Sequence, residues 1–534
     1  MSDEMTPAET TPRSADNSKI AKAAAGIGAF ALAGFALAGL LTKMILARLL
    51  GTEATANALN YVTGLTQDVF RTWEKLIRPV FLPVLAGERE RVGAAGAWRF
   101  ASSFINVQVI VLAALTIVFA IFAPQIVGTF TRFGPEEATL AARFLPVLAP
   151  SMLFLALAVT FYLLLNSYKR FHLAAFGDNL FVKLLPLAAL VGLFHFIGVW
   201  AIIVGIVLGA LGKLVLYVWG LRRELAHWRP HLDLLSPAMK KAMWLITPLS
   251  VGSLAAFLRN RVQDLFLTHV HAGKAVTMVG YAKNAVDIPV QVLPAALSIA
   301  IFPFISEYFV KKRHEEMFDV LGKGARIIFL AFLPLTVALT VLARPAVDVL
   351  FGGGKFTPSD VDLTAQALQF YAAGCVFFGL EILLLQFFYA AADTVTPTWT
   401  GILTSAVQIL VLWLAVSTMQ ATSFTFAYSL SKTLKVLILL VLMVRVYPHA
   451  HLWVSMGKRT GLALGKIALV SAVMGAVVYF LGEALVPGRS LRGLVNLAVV
   501  SGSGGIVFLG GVHLLGVEEW QQALGWVKGK LVKR

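Results

Sequence analysis

Long apolar runs alternate with short polar ones along nearly the whole chain. A helix rises about 1.5 Å per residue, so about 20 apolar residues cross a hydrocarbon core roughly 30 Å thick. Windows of that length predict fourteen helices, approximately 23–50, 57–86, 102–130, 139–166, 172–195, 197–221, 243–271, 276–308, 326–351, 364–390, 397–418, 423–445, 460–485 and 491–515. The second is the weakest, since it carries Asp68, Arg71, Glu74, Lys75 and Arg78. Residues 1–18 are polar and expected to be disordered. The first apolar run is too long for the core of a cleavable signal peptide.

The polar segments sort into two alternating sets. One holds Arg89, Arg91, Arg99, Lys169, Arg170, Arg222, Arg223, Lys240, Lys241, Lys311, Lys312, Arg313 and further cations down to the tail, while the other holds only Arg132, Lys274, Lys355, Arg489 and Arg492. Basic loops stay on the cytoplasmic side, so both termini are expected there. The formal net charge of +17 then reflects topology, and nucleic acid is not needed to explain it. Composition agrees: 534 residues are 58% hydrophobic and 14% charged, with mean hydropathy +0.80. This is the profile of a polytopic membrane protein. A single cysteine, Cys375, excludes an intrachain disulfide and a cysteine metal cluster.

An internal repeat organises the chain. Pro124 and Tyr168 recur as Pro345 and Tyr389, each 221 positions on, and Leu82-Pro83-Val84 recurs as Phe302-Pro303-Phe304 at an offset of 220. Two halves of six spans each are expected, 20–225 and 240–446. An even span number makes them parallel repeats about an axis along the membrane normal. Two further helices follow over 460–515. The tail, 517–534, places Trp520, Leu524 and Val527 at helical spacing before four cations, which suits an interfacial helix on an anionic leaflet; a cytosolic partner site is the alternative.

No catalytic constellation is present: the ten His are scattered, and HExxH, CxxC and GxSxG patterns are absent. The glycine-rich Phe351–Phe356 lacks a phosphate-loop pattern and reads as a turn into a helix capped by Ser359 or Asp360. What remains is a set of charges at membrane depth, where each costs roughly 2.5–3.5 kcal/mol unless it faces a wet or paired interior. The first half offers Lys43, Arg48, Arg71, Lys75 and Arg78; the second offers Arg259, Arg261 and Lys283. Arg71, Lys75 and Arg78 share one helical face, and such a stripe suits a phosphate or pyrophosphate, whose oxygens match the guanidinium fork. Asp68 and Glu74 are positioned to pair locally with Arg71 and Arg78. Asp178, Asp264, Asp287 and Glu381 are candidates for coupling to protons or sodium, with no metal centre or organic cofactor implied. The plainer reading is structural: snorkelling helix ends, Arg261 paired with Asp264 or Asp287, Asp178 paired with Lys183, and Lys432 and Lys435 near a helix end.

Several motifs resemble one family: Gly280-Tyr281-Ala282…Pro289, Leu297-Ser298…Phe302-Pro303, Val349-Leu350-Phe351…Gly354-x-Phe356, and Phe388-Tyr389-Ala390…Asp393-Thr394…Thr396-Pro397. Together they resemble the MurJ/MviN-type lipid II flippases of the multidrug/oligosaccharidyl-lipid/polysaccharide exporter superfamily, over about residues 30–450. The resemblance implies two six-helix lobes around a cationic cavity in the bacterial inner membrane. It also implies a lipid-linked substrate, undecaprenyl-pyrophosphate-linked sugar, moved to the outer leaflet by membrane potential or an ion gradient. Cell-wall synthesis proteins are the partners implied, and nothing demands more than a monomer. The family's Tyr-Ala-x-Arg reads Tyr281-Ala282-Lys283-Asn284 here, and its loop Arg is Gly353. An ion-coupled exporter of another polyprenyl-linked glycan or amphiphile, and a transport-inactive membrane scaffold, are the other readings the residues leave open.

Overall fold

The computed structural model describes residues 38–532 apart from 169, 171–172, 174–175, 392 and 486, and leaves undescribed the side chains of 271–272, 288–289, 291–300, 303, 446 and 526–532. The segment 1–18 and most of the first window thus lie outside the described residues. Regular structure among the described residues is helical, apart from one isolated bridge between Gly353 and Phe356.

Among the described residues, seventeen α-helices run in order: α1 (Leu40–Leu50), α2 (Ala54–Ile121), α3 (Ala123–Phe130), α4 (Pro135–Ser167), α5 (Leu185–Ile197), α6 (Trp200–Gly220), α7 (Pro237–His269), α8 (Lys274–Val310), α9 (His314–Val341), α10 (Ala343–Phe351), α11 (Pro358–Ala372), α12 (Cys375–Ala390), α13 (Val395–Met419), α14 (Thr422–Val446), α15 (Ala450–Leu485), α16 (Leu491–Leu514) and α17 (Glu518–Val532). Eleven helical stretches among the described residues are long and apolar enough to cross a membrane. The 68-residue α2 turns at Gly93, whose φ of 82° only glycine adopts without strain, so it supplies both the second and the third span. With the 37-residue α8 and the described end of the first span in α1, each expected window has a helical counterpart.

Four features differ from the sequence reading. The windows 102–130 and 326–351 each break, at Phe122 and Leu342, into a long helix and a short one. Pro124 and Pro345 cause this: a proline has no N–H to continue the ladder but suits a first turn. The fifth span is π-helical over Asp178–Leu184 before α5. The cap of α11 is Thr357, not Ser359 or Asp360. Pro358 takes the first helical position, and Asp360 closes a capping box with Thr357 from three residues on.

The repeat reappears as geometry. Phe122 and Leu342, 220 positions apart, have nearly the same backbone angles (φ −96°, ψ 21° and φ −92°, ψ 15°). Tyr61 packs against Phe133, and Tyr281, 220 positions later, packs against Phe356.

Two compact units are present. One comprises residues 1–42, 77–114 and 150–242; the other comprises 43–76, 115–149 and 243–534. The second unit therefore contains segments of both sequence halves. There, Thr277 donates to Asn57 at 2.7 Å, and these two residues are again 220 apart. The C-terminal helices belong to the same unit. Val517 and Trp520 join the apolar core of α15 and α16, and Arg326 of α9 forms a buried ion pair with Glu519 of α17.

Candidate functional site

In the second unit, five helices bring ionisable side chains together: α2, α7, α8, α12 and α14. Arg261 is 2% exposed and sits between two carboxylates, Asp68 Oδ2 at 2.5 Å and Asp264 Oδ2 at 2.7 Å. Its guanidinium also covers the Phe257 ring at 5.1 Å. Asp68 does not pair with Arg71 as a local reading suggests. It accepts from Arg261 and from Asn260 at 3.1 Å, because a partner on another helix reaches it in the dry interior.

Arg71 and Lys75 lie on the same segment of α2, one helical turn apart. Arg259 is oriented by hydrogen bonds to Asn260 Oδ1 (3.0 Å) and Ser405 Oγ (3.4 Å). Lys283 and Lys432 flank one aromatic ring, at 5.7 and 5.6 Å from the centroid of Tyr428. Tyr371 stacks on Tyr428 at 5.4 Å and donates to Asp287 at 3.1 Å. Asp287 is thus held by a phenol rather than by Arg261.

Glu381 is 7% exposed and accepts from Lys432 at 2.6 Å and Lys435 at 2.7 Å. These lysines lie in the middle of α14, not near its end. Sequence reasoning set the two lysines near a helix end and passed over Tyr428, although a Tyr-x3-Lys-x2-Lys run inside an apolar 25-residue helix was the available signal. Among the described residues, no carboxylate lies within 4 Å of Arg71, Lys75, Arg259 or Lys283. These four cations therefore have no direct ion-pair partner among the described residues, whereas Arg261 is neutralised by two.

The other candidates fall elsewhere. Lys43 donates to Asn60 at 3.2 Å, and Asn60 donates on to Thr277 at 3.1 Å. Arg48 is exposed and donates to the Val349 carbonyl at 3.3 Å, next to the glycine-rich turn. That turn is tied to α1 by Lys355 N–H on the Arg48 carbonyl, by Lys355 with Glu53, and by buried Thr52 with Asp360. In the first unit, Arg78 lies 5.0 Å above the Tyr162 ring. Asp178 pairs with Lys213 at 2.6 Å rather than with Lys183, which donates to Asn179. No group of three or more His, Cys, Asp or Glu positioned for a metal ion occurs among the described residues.

The second unit thus concentrates cations with no direct ion-pair partner among the described residues on α2, α7 and α8 within a membrane bundle, with aromatic rings beside them. Comparison with known proteins places the chain in a family. The family model "Lipid II flippase MurJ" matches residues 46–493. The lipid II flippase MurJ of Burkholderia cenocepacia is 26% identical over 371 residues, 67% of this chain and 71% of that protein. A probable lipid II flippase MurJ of Rhizobium tropici is 24% identical over 82% of this chain and 83% of its own. For the Buchnera aphidicola (Schizaphis graminum) relative, the matched region spans 64% of that protein at 25% identity. A solved lipid II flippase MurJ in an inward closed conformation superposes with a TM-score of 0.75 at 17% identity, covering 92% of this chain and 98% of that one. An inward-facing multidrug transporter of the MATE family superposes with a TM-score of 0.66 at 13% identity, covering 76% and 94%. Helices, repeat and family match agree: the chain is a multi-pass membrane transporter, not an enzyme, and it belongs to the lipid II flippase MurJ family.

Proposed function

We propose that the protein moves lipid II from the inner to the outer leaflet of the bacterial inner membrane by alternating access. The observation that carries this reading is the set of cations with no direct ion-pair partner among the described residues, Arg71, Lys75, Arg259 and Lys283. A pyrophosphate supplies the missing negative charge, and guanidinium forks match its oxygens. Arg261, already flanked by Asp68 and Asp264, holds α7 against α2 and so positions Arg259. Both termini face the cytoplasm in this reading, from the basic loops.

Driving force follows from the same charges. A potential negative inside favours an anion moving outward by about 2.3 kcal/mol per elementary charge per 100 mV. In this structure Asp178, Asp264, Asp287 and Glu381 are each held by a protein donor. That arrangement supports coupling to the potential through the headgroup itself. The protein acts as a monomer beside the cell-wall synthesis machinery.

Native mass spectrometry of the purified protein with added lipid II tests the binding step. One lipid II retained by the parent, and lost with Arg71→Ala or Arg259→Ala, is expected. Equal retention by all three removes these cations from the site.

A further inference from the structure

We propose that the first repeat carries a site for one acyl chain of an anionic phospholipid, its phosphate held by Arg89. In the first unit a cavity of about 270 Å³ opens between α2 and α4, walled by Leu82, Leu85, Ala86 and Leu164. Polar groups gather at its rim. Trp98 Nε1 donates to the Tyr168 hydroxyl at 3.0 Å, and the Arg89 guanidinium lies over the Tyr168 ring at 5.9 Å. Trp and Tyr paired in this way are typical of the level where lipid headgroups sit.

The second repeat shows why the space is open. Trp98 and His227 are in ring contact at 6.2 Å, and Phe318 and Tyr447, each 220 positions later, are in ring contact at 6.4 Å. Tyr447 is buried: its ring lies 6.1 Å from Phe309, the counterpart of Arg89, and its hydroxyl donates to the Phe387 carbonyl. Tyr447 therefore fills the second repeat with the protein's own side chain. Its counterpart, His227, is smaller and exposed, with Nδ1 at 3.1 Å from the Glu224 carbonyl, and leaves the equivalent space unfilled.

The lining selects the occupant. Apolar walls accept hydrocarbon, and the volume lies below the roughly 300–1,000 Å³ of drug-sized pockets, so the slot takes a segment of a single chain, while its apolar walls leave a sugar's hydroxyls without partners. At the rim Arg91 pairs with Glu88 at 3.0 Å, while Arg89 has no carboxylate within 4 Å among the described residues. An exposed arginine with a free fork beside an apolar slot favours a phosphate bearing net negative charge over a zwitterionic headgroup.

Native mass spectrometry of the full-length protein, stripped of lipid and titrated with phosphatidylglycerol or phosphatidylcholine of the same chains, tests this. The parent is expected to retain one phosphatidylglycerol with at least about a five-fold preference. Arg89→Gln should abolish the preference while keeping one lipid of either kind. His227→Tyr, which restores the filling residue of the other repeat, should release that lipid altogether, and Ala86→Phe should do the same from the opposite wall. Equal retention of both lipids by the parent overturns the proposal, as does unchanged retention in the two filling variants. Displacement by undecaprenyl phosphate but not by excess phosphatidylglycerol also overturns it, in favour of the transported lipid.

Discussion

Arg261 on α7 donates to Asp68 on α2 at 2.5 Å, with Asp264 on its other side at 2.7 Å, and only 2% of the residue is exposed. A guanidinium so neutralised contributes structure more than attraction for an anion. Removing one partner of a buried pair costs about 3–5 kcal/mol. Arg261→Ala is therefore expected to lower the melting temperature in detergent, whereas Arg71→Ala and Arg259→Ala should shift it by no more than a few tenths of that effect. Thermal unfolding of the three variants checks this. Equal stability for all three would deny Arg261 its structural role.

Glu381 balances two lysines, so its loss leaves both in a dry interior. Glu381→Gln should destabilise the protein by several kcal/mol, of the order expected for a broken buried pair. Lys432→Met combined with Lys435→Met and Glu381→Gln should recover most of that loss, since an apolar replacement of a whole buried network is often neutral or better. A denaturation series on the single and triple variants measures the coupling. Additive effects would mean that the three residues act independently.

The glycine-rich turn is locked to α1 at very short range. A Cβ on Gly354 would lie 2.1 Å from the Arg48 carbonyl oxygen, at a φ of +59° that already disfavours any side chain. One on Gly51 would lie 2.4 Å from the Lys355 carbonyl oxygen at φ +57°. Gly354→Ala should thus separate the turn from α1, and a cysteine at Glu53 should become faster to alkylate. Lys355→Ala in the chain that keeps Glu53, by contrast, removes only an exposed pair worth about 0.2–1 kcal/mol and should leave the melting temperature nearly unchanged.

The C-terminal α17 is fixed at its first turn by the buried Arg326–Glu519 pair and by Trp520 in the core of α15 and α16. Glu519→Ala strands Arg326 inside the bundle and should cost about 3–5 kcal/mol. Changing the exposed neighbours Gln521 and Gln522 to Ala should alter stability by less than about 0.5 kcal/mol. Melting curves of both variants separate the anchored turn from the rest of the helix.

Spans were legible because apolar length is a property of the local sequence, and the repeat because Pro124 and Pro345 impose the same break in each half. Partner choice was not legible in that way. Asp68 has Arg71 close in sequence yet bonds Arg261, 193 positions away, and Asp178 bonds Lys213 on another helix. Which charges meet is decided by how helices pack, and that leaves little trace in local spacing. Lys432 and Lys435 were discounted for the same reason: only the approach of α12 reveals that Glu381 holds them. Thr357 was overlooked as the cap of α11 because Pro358 fits the first helical position, which starts the helix two or three residues earlier than a cap at Ser359 or Asp360 would.

Translocation of fluorescent lipid II in proteoliposomes, with and without an imposed potential, tests the central claim most directly. The parent should flip lipid II faster with the interior negative on the cytoplasmic side. Arg71→Ala and Arg259→Ala should lose that flux while remaining folded. Full flux in both variants, or none from a folded parent, would contradict the account.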